Sequence, residues 1–188
     1  MNSSLLIFLL LWSVFGADAF NYTSCDQAKK PKMLSSCCKI PIYSEISKSC
    51  RKSIIRQNKT TNWNENKLAL NACTAECVFK SSGYLLSNGS ADLPAIQKDL
   101  KQRFKNDSVL AKVMNEAFNS CVDYAQKRTV EFEWLHVNID CNYYPATLLA
   151  CVMEQVYENC PSSKWKNSDE CESMRKYLIA CDDVHNSN

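Results

Sequence analysis

Twelve cysteines run from Cys25 to Cys181 in a chain of 188 residues, and none precedes Cys25. More than helix propensity or charge, that even and dense set limits what the chain can become. In an oxidising compartment it is most simply six disulfides, which makes the folded region a single stapled unit of ordinary domain size. The compartment is read from the other end of the chain. Leu5 to Phe15 is an uninterrupted apolar run, and Ala17-Asp18-Ala19 behind it is a small-x-small site. That order predicts a signal peptide over residues 1–19, cut before Phe20, although Met1-Asn2-Ser3-Ser4 supplies no basic residue. The run is too short for a hydrocarbon core, which takes about 20 residues, so no membrane span is expected. The predicted protein is secreted and extracellular, with residues 20–188 as a single domain. Within it, residues 20–49 form an N-terminal extension and residues 162–188 a C-terminal one.

Composition excludes other classes. The chain has 22 basic and 20 acidic residues, so it lacks the electrostatic footprint that nucleic acid requires. Beyond the leader only Gly83 and Gly89 remain, too few for phosphate loops or turn-dense β scaffolds. Zinc is disfavoured because no Cys-x2-Cys occurs and only His136 and His185 stand ready to assist. No metal or other cofactor is expected. Sequons at Asn21, Asn58, Asn88 and Asn106 are glycosylation candidates.

Periodicity predicts helices. Pro41 opens one carrying Ile42, Ile46, Cys50 and Ile54, and a second runs from Asn66 to Ser82 and stops at Gly83. Ser87-Asn88-Gly89-Ser90 reads as a turn. Asp92 and Pro94 start a third helix with Ile96, Leu100 and Phe104 on one face. Asn106-Asp107-Ser108 breaks it and caps a fourth, with Leu110, Val113, Ala117, Cys121 and Tyr124 inward. Thr129 to Ile139 is expected to be extended or irregular. Pro145 begins a fifth helix bearing Leu148, Leu149, Val152, Met153 and Val156, ended by Pro161, and Ser168 caps a last one with Cys171, Met174, Leu178 and Cys181 inward. The expected fold is all-α, a compact disulfide-stapled bundle of about six to eight helices around an apolar cavity.

The cysteines constrain how such helices join. Cys73 and Cys77 stack one turn apart with parallel Cβ vectors, so each must reach a different element. Cys151 and Cys160 fall on opposite sides of an ideal helix and also need different partners. The adjacent Cys37 and Cys38 are expected to bond outward to two partners. Cross-links of about 2–4 kcal/mol each let a helical shell keep a cavity that an unstapled domain of this size would scarcely tolerate.

The series Cys73-x3-Cys77-x43-Cys121-x19-Cys141-x9-Cys151-x8-Cys160-Pro161-x9-Cys171-x9-Cys181 closely resembles the Plus-C subgroup of insect odorant-binding proteins. The x3 and x8 gaps and the proline after Cys160 carry the likeness. Cys73-Thr-Ala-Glu-Cys77-Val-Phe, followed by Gly83, is similar to the family's central helix and its exit. The resemblance implies three core bridges: Cys73–Cys151, Cys121–Cys160, and the family's first cysteine to Cys77. Cys50 fits best as that first cysteine, with Cys38 as the alternative. That leaves Cys25, Cys37, Cys38, Cys141, Cys171 and Cys181 to pair in an order that spacing does not give.

By the same resemblance the function is carriage of small hydrophobic ligands such as odorants or pheromones in extracellular or sensillar fluid, for delivery to receptors. The partners implied are a small hydrophobic ligand and a chemosensory receptor or other secreted protein, with the carrier a monomer or homodimer. The pocket candidates are Leu100, Phe104, Val113, Met114, Phe118, Phe132, Trp134, Leu149, Val152, Met153 and Val156, each of which would also serve as plain core. A secreted protein-interaction module without a small ligand is the alternative. A lipid-acting enzyme of the phospholipase A2 kind fits poorly, because Lys39-Ile40-Pro41 follows Cys37-Cys38 where that chemistry wants histidine and a glycine-rich loop. No catalytic residue is expected. His136, beside Trp134 and Leu135, is a candidate pH switch.

Overall fold

The computed structural model describes residues 36–40, 44–130 and 141–181, and among them the chain forms six α-helices. They are α1 (Ser44–Gln57), α2 (Lys67–Ser82), α3 (Leu93–Arg103), α4 (Ser108–Thr129), α5 (Tyr144–Glu158) and α6 (Asp169–Ala180). The fold is an all-α, disulfide-stapled bundle, and no helix among the described residues is long and apolar enough to cross a membrane. The only β features among them are two isolated bridges, Cys38 with Trp165 and Leu85 with Ala91. Pro41, Ile42, Phe132, Trp134, His136, His185 and the leader lie outside the described residues.

Local chemistry sets the helix ends. The side chains of Asp92, Asp107 and Ser168 accept hydrogen bonds from the backbone N–H of Ala95, Leu110 and Cys171, satisfying orphan donors of α3, α4 and α6. Gly83 ends α2 at φ 67°, a left-handed turn that returns its N–H to the last carbonyls of the helix. Helix α1 runs from Ser44 to Gln57 and carries Ile46, Cys50 and Ile54 of the helix expected there.

Helix α5 is the hub. It packs on α2, α4 and α6, most extensively along α4, while α1 lies on α2 and α3 on α4. Tyr144, Leu148, Cys151, Val152, Gln155, Val156 and Tyr157 are all buried on it, the composition of a helix enclosed on several sides. On α4 the buried stripe is Leu110, Met114, Ala117, Phe118, Cys121 and Ala125. Val113 and Tyr124, expected inward, are half-buried at its margin, because the stripe's centre is rotated by about 50° from the one read off the sequence.

Two of the three implied bridges are corrected. Cys50 pairs with Cys77, but Cys73 is joined to Cys141 where Cys151 was expected, and Cys121 to Cys151 where Cys160 was expected. In both, the partner is the preceding cysteine, so the interlaced order survives with its last two members moved up the chain. Reach explains the shift. Cys121 and Cys151 stand 5.8 Å apart between Cα atoms. Cys160 lies nine residues beyond Cys151, about 13 Å farther at helical rise, where the same cysteine cannot follow. Cys160 instead meets Cys38, and Cys171 meets Cys37, so the adjacent pair does bond outward to two partners. Cys181 is disulfide-bonded as well.

Candidate functional site

The interior draws buried side chains from α3, α4 and α5, with α3 and α5 each packed on α4. Steps of four on α3 bring Ile96 and Leu100 inward, and Phe104 follows at the helix end with its N–H on the Leu100 carbonyl. A network fixes α3 against the exit of α2. The Tyr84 hydroxyl donates to Asp99, Arg103 pairs with the same carboxylate, and the Tyr84 ring stands edge-on to Phe79 at 5.6 Å. The same cluster holds Met114 and Phe118 from α4 and Leu148, Val152 and Val156 from α5.

Nine of the eleven pocket candidates fall among the described residues, and all nine belong to this one cluster. Leu100, Phe104, Met114, Phe118, Val152 and Val156 are buried in it, with Leu100, Phe118 and Val156 at 0% exposure. Val113, Leu149 and Met153 pack half-buried on its margin. Phe132 and Trp134 lie outside the described residues. Val113 also lines a cleft of 240 Å³ between α4 and α5, together with Glu116, Ala117, Ser120, Gln155 and Asn159. A larger cleft of 480 Å³ opens elsewhere, between the α2 exit, the 85–89 turn and Asn142.

One polar group in the main cluster is not among the residues that periodicity singles out. Tyr144 is 7% exposed, and its hydroxyl is buried without a hydrogen bond. It faces the Ala91 backbone out of hydrogen-bonding geometry, and burial first, then the Asp123 charge, pushes its phenol above the ordinary tyrosine range. A neutral phenol left unpaired inside an apolar cluster is a hydrogen-bond donor in want of an acceptor. The sequence does carry a signal for it. Tyr144, Leu148, Val152 and Val156 share one face at steps of four, yet Tyr143-Tyr144-Pro145 reads as a polar helix start. Tyr157 on the same helix is a second buried tyrosine without a sequence signal, and its phenol is likewise raised by burial.

A family model described as AgamOBP47-like matches residues 41–177, a span that takes in five of the helices whole and all but the end of α6. The chain belongs to that family of insect odorant-binding proteins. Odorant-binding protein 47 of Anopheles gambiae is 27% identical over 164 residues, covering 80% of this chain and 70% of its own length. General odorant-binding proteins 67 and 68 of the same mosquito are 26% and 25% identical over 103 and 108 residues. This chain spans about half the length of those two, 50% and 51%. No solved structure matches it. Membership supports a small-ligand carrier role in general. In this odorant-binding protein the matched span holds both ends of the Cys50–Cys77, Cys73–Cys141 and Cys121–Cys151 bridges, but only one end of those to Cys37 and Cys38.

Proposed function

We propose that this odorant-binding protein is a secreted carrier that takes a small hydrophobic ligand among α3, α4 and α5 and delivers it to a receptor through extracellular fluid. In this reading residues 1–19 are the removed leader and residues 20–188 the carrier. The observation that carries it is a largely apolar cluster whose Tyr144 hydroxyl is buried without a hydrogen bond. Apolar pockets with one or two placed polar groups are the usual form of a site for small lipophilic molecules. The named relatives, odorant-binding proteins of a mosquito, support the same ligand class. The donor narrows the preferred ligand to one with an acceptor, such as a carbonyl, ester or alcohol.

The test is displacement of a fluorescent apolar probe from oxidised mature protein by a volatile panel. Probe binding is expected, with carbonyl and alcohol compounds displacing it better than hydrocarbons of equal size. Tyr144→Phe removes about 1 kcal/mol from the oxygenated ligands, roughly fivefold in affinity, and leaves hydrocarbons unchanged. Failure to bind probe or volatile at any pH would overturn the carrier reading in favour of a secreted interaction protein.

A further inference from the structure

Three of the four sequons lie among the described residues, and the fold presents them very differently. Asn58 caps the end of α1 half-buried, and both its side-chain and backbone N–H donate to the Ile54 carbonyl, at 3.2 and 3.1 Å. A sugar on that nitrogen would have to share the space that closes the helix. Asn106 is exposed, but its sequon is held by the start of α4. Asp107, the middle residue, caps that helix and pairs with Lys164 at 2.9 Å, and Ser108 is its first residue. No hydrogen bond joins the Asn106 amide to the Ser108 hydroxyl.

Asn88 differs on every count. It stands exposed at the tip of the turn between α2 and α3, outside any helix. Its amide oxygen accepts from both the N–H and the hydroxyl of Ser90, at 3.0 and 2.7 Å, so acceptor asparagine and sequon hydroxyl already form one unit. The amide nitrogen carries no hydrogen bond. Gly89 between them, at φ 81°, adds no side chain to crowd the site. The turn closes on itself through Leu86 N–H to Ser90 O and Gly89 N–H to Leu86 O, each 2.9 Å, and is anchored by the Leu85–Ala91 bridge. A sequon reached after the chain has folded has to leave the fold to enter a transferase. A small turn does so at less cost than a helix start secured by a cap and an ion pair.

We propose that Asn88 is the N-glycan acceptor among the three sequons described, with the first sugar seated over Leu86 and the cleft at its foot. Leu86 is 47% exposed beside Asn88, and the 480 Å³ cleft there is lined by Glu76, Lys80, Asn142 and the turn itself. That surface matches the apolar face and hydroxyl rim of N-acetylglucosamine. In the transfer, the Asn88 Nδ2–C1 bond forms as the C1–oxygen bond to the diphosphate of a lipid-linked oligosaccharide breaks. The diphosphate leaves with the bonding pair, the amide proton passes to solvent through a base of the transferase, and nothing is oxidised or reduced. The inference rests on the secretory reading above, not on ligand carriage.

The experiment is expression of the full chain, with its own leader, in insect cells, followed by endoglycosidase shift and mass-spectrometric mapping of the medium fraction. A glycan is expected at Asn88, abolished in Asn88→Gln and Ser90→Ala, and retained in Ser90→Thr, Asn58→Gln and Asn106→Gln. The Asn88→Gln protein should bind the apolar probe with unchanged affinity. Secreted protein with Asn88 bare, whether or not another sequon is occupied, would overturn the inference alone. Protein confined to the cytosol would overturn the secretory reading and this one with it.

Discussion

Two regions of the molecule are stapled in contrasting ways. The frame of α1, α2, α4 and α5 is crossed by Cys50–Cys77, Cys73–Cys141 and Cys121–Cys151, with sequence separations of 27, 68 and 30. The C-terminal strap, the 159–168 loop with α6, is tied to the start of the described chain by Cys38–Cys160 and Cys37–Cys171, with separations of 122 and 134. In the frame two of the bridges join packed helices, α1 to α2 and α4 to α5, and the third ties α2 to the segment just before α5, so they reinforce packing. The strap meets the frame through α5, with Cys171, Met174, Tyr177 and Leu178 of α6 buried in the main apolar cluster, and polar contacts add to the joining. Arg175 lies 3.7 Å over the Trp165 ring and donates to the carbonyls of Tyr157 and Cys160, while Lys164 pairs with Asp107. The lesson is that the strap, with a short buried face of its own, is anchored to a distant part of the chain by two cysteines that sit side by side, while the frame is cross-linked within itself.

The sharpest way to break that comparison is to remove one bridge from each region. Cys121→Ala with Cys151→Ala opens a loop of 30 residues and should lower global unfolding free energy by about 3–4 kcal/mol. Cys38→Ala with Cys160→Ala opens far less chain than its separation suggests. With Cys37–Cys171 intact, the freed circuit is about a dozen residues, so the loss should be roughly 2–3 kcal/mol. Chemical denaturation gives the sizes and hydrogen exchange the location: protection should fall throughout in the first variant and over residues 160–181 in the second. Loss of protection across α4 and α5 on removing Cys38–Cys160 would mean that strap and frame are one cooperative unit.

How much of each region is legible in the sequence follows the same division. Frame helices announce themselves locally: Asp92, Asp107, Ser168 and Gly83 mark their own ends, and steps of four mark Leu100, Val152 and Val156 as interior. Pairing does not follow, since it depends on how far α5 slides along α4, a tertiary quantity that no gap length encodes. Cys141 and Cys151 stand opposite Cys73 and Cys121 only once that alignment is set. The stretch from Ser162 to Glu170 reads as polar, yet Trp165 in it is buried, covered by Arg175 and bridged to Cys38. A lone aromatic in a polar run carries no period, so its burial is visible only when its partners arrive from other elements. Tyr144 escapes for the opposite reason: it stands on a face of correct period, but its hydroxyl argues against the interior.

A smaller effect tests whether the strap's polar contacts are specific. Arg175 reaches the Cys160 carbonyl at 2.7 Å and the Tyr157 carbonyl at 3.4 Å, capping the C-terminal end of α5 while its plane covers Trp165. Arg175→Ala should cost about 1–2 kcal/mol, with the exchange loss again in the strap. Lysine cannot place two donors and stack at once, so Arg175→Lys should recover less than half of the loss. Full recovery by lysine would reduce the contact to simple charge at a helix end.

The smallest effect is a pH dependence at the join between strap and frame. Hydrogen bonding from Lys164, followed by the Leu110 backbone N–H, holds the Asp107 carboxyl below the usual carboxylate range. A depressed pKa in the folded state stabilises the protein above the ordinary aspartate value of about 3.9 and loses that contribution as pH falls through the lowered folded value. The pair is partly open, with side-chain exposures of 35% and 26%, so solvent screening keeps the contribution small. Stability of the wild type should therefore decline below about pH 4 with a component that 1 M salt weakens. Asn caps a helix as well as Asp, so Asp107→Asn keeps the α4 cap and removes only the charge. It should flatten that section of the acid limb, measured by denaturation midpoints from pH 2 to pH 6. An unaltered limb would show that the strap is held at Lys164 by its neighbours, Trp165 and the Cys38–Cys160 bridge, and not by the ion pair.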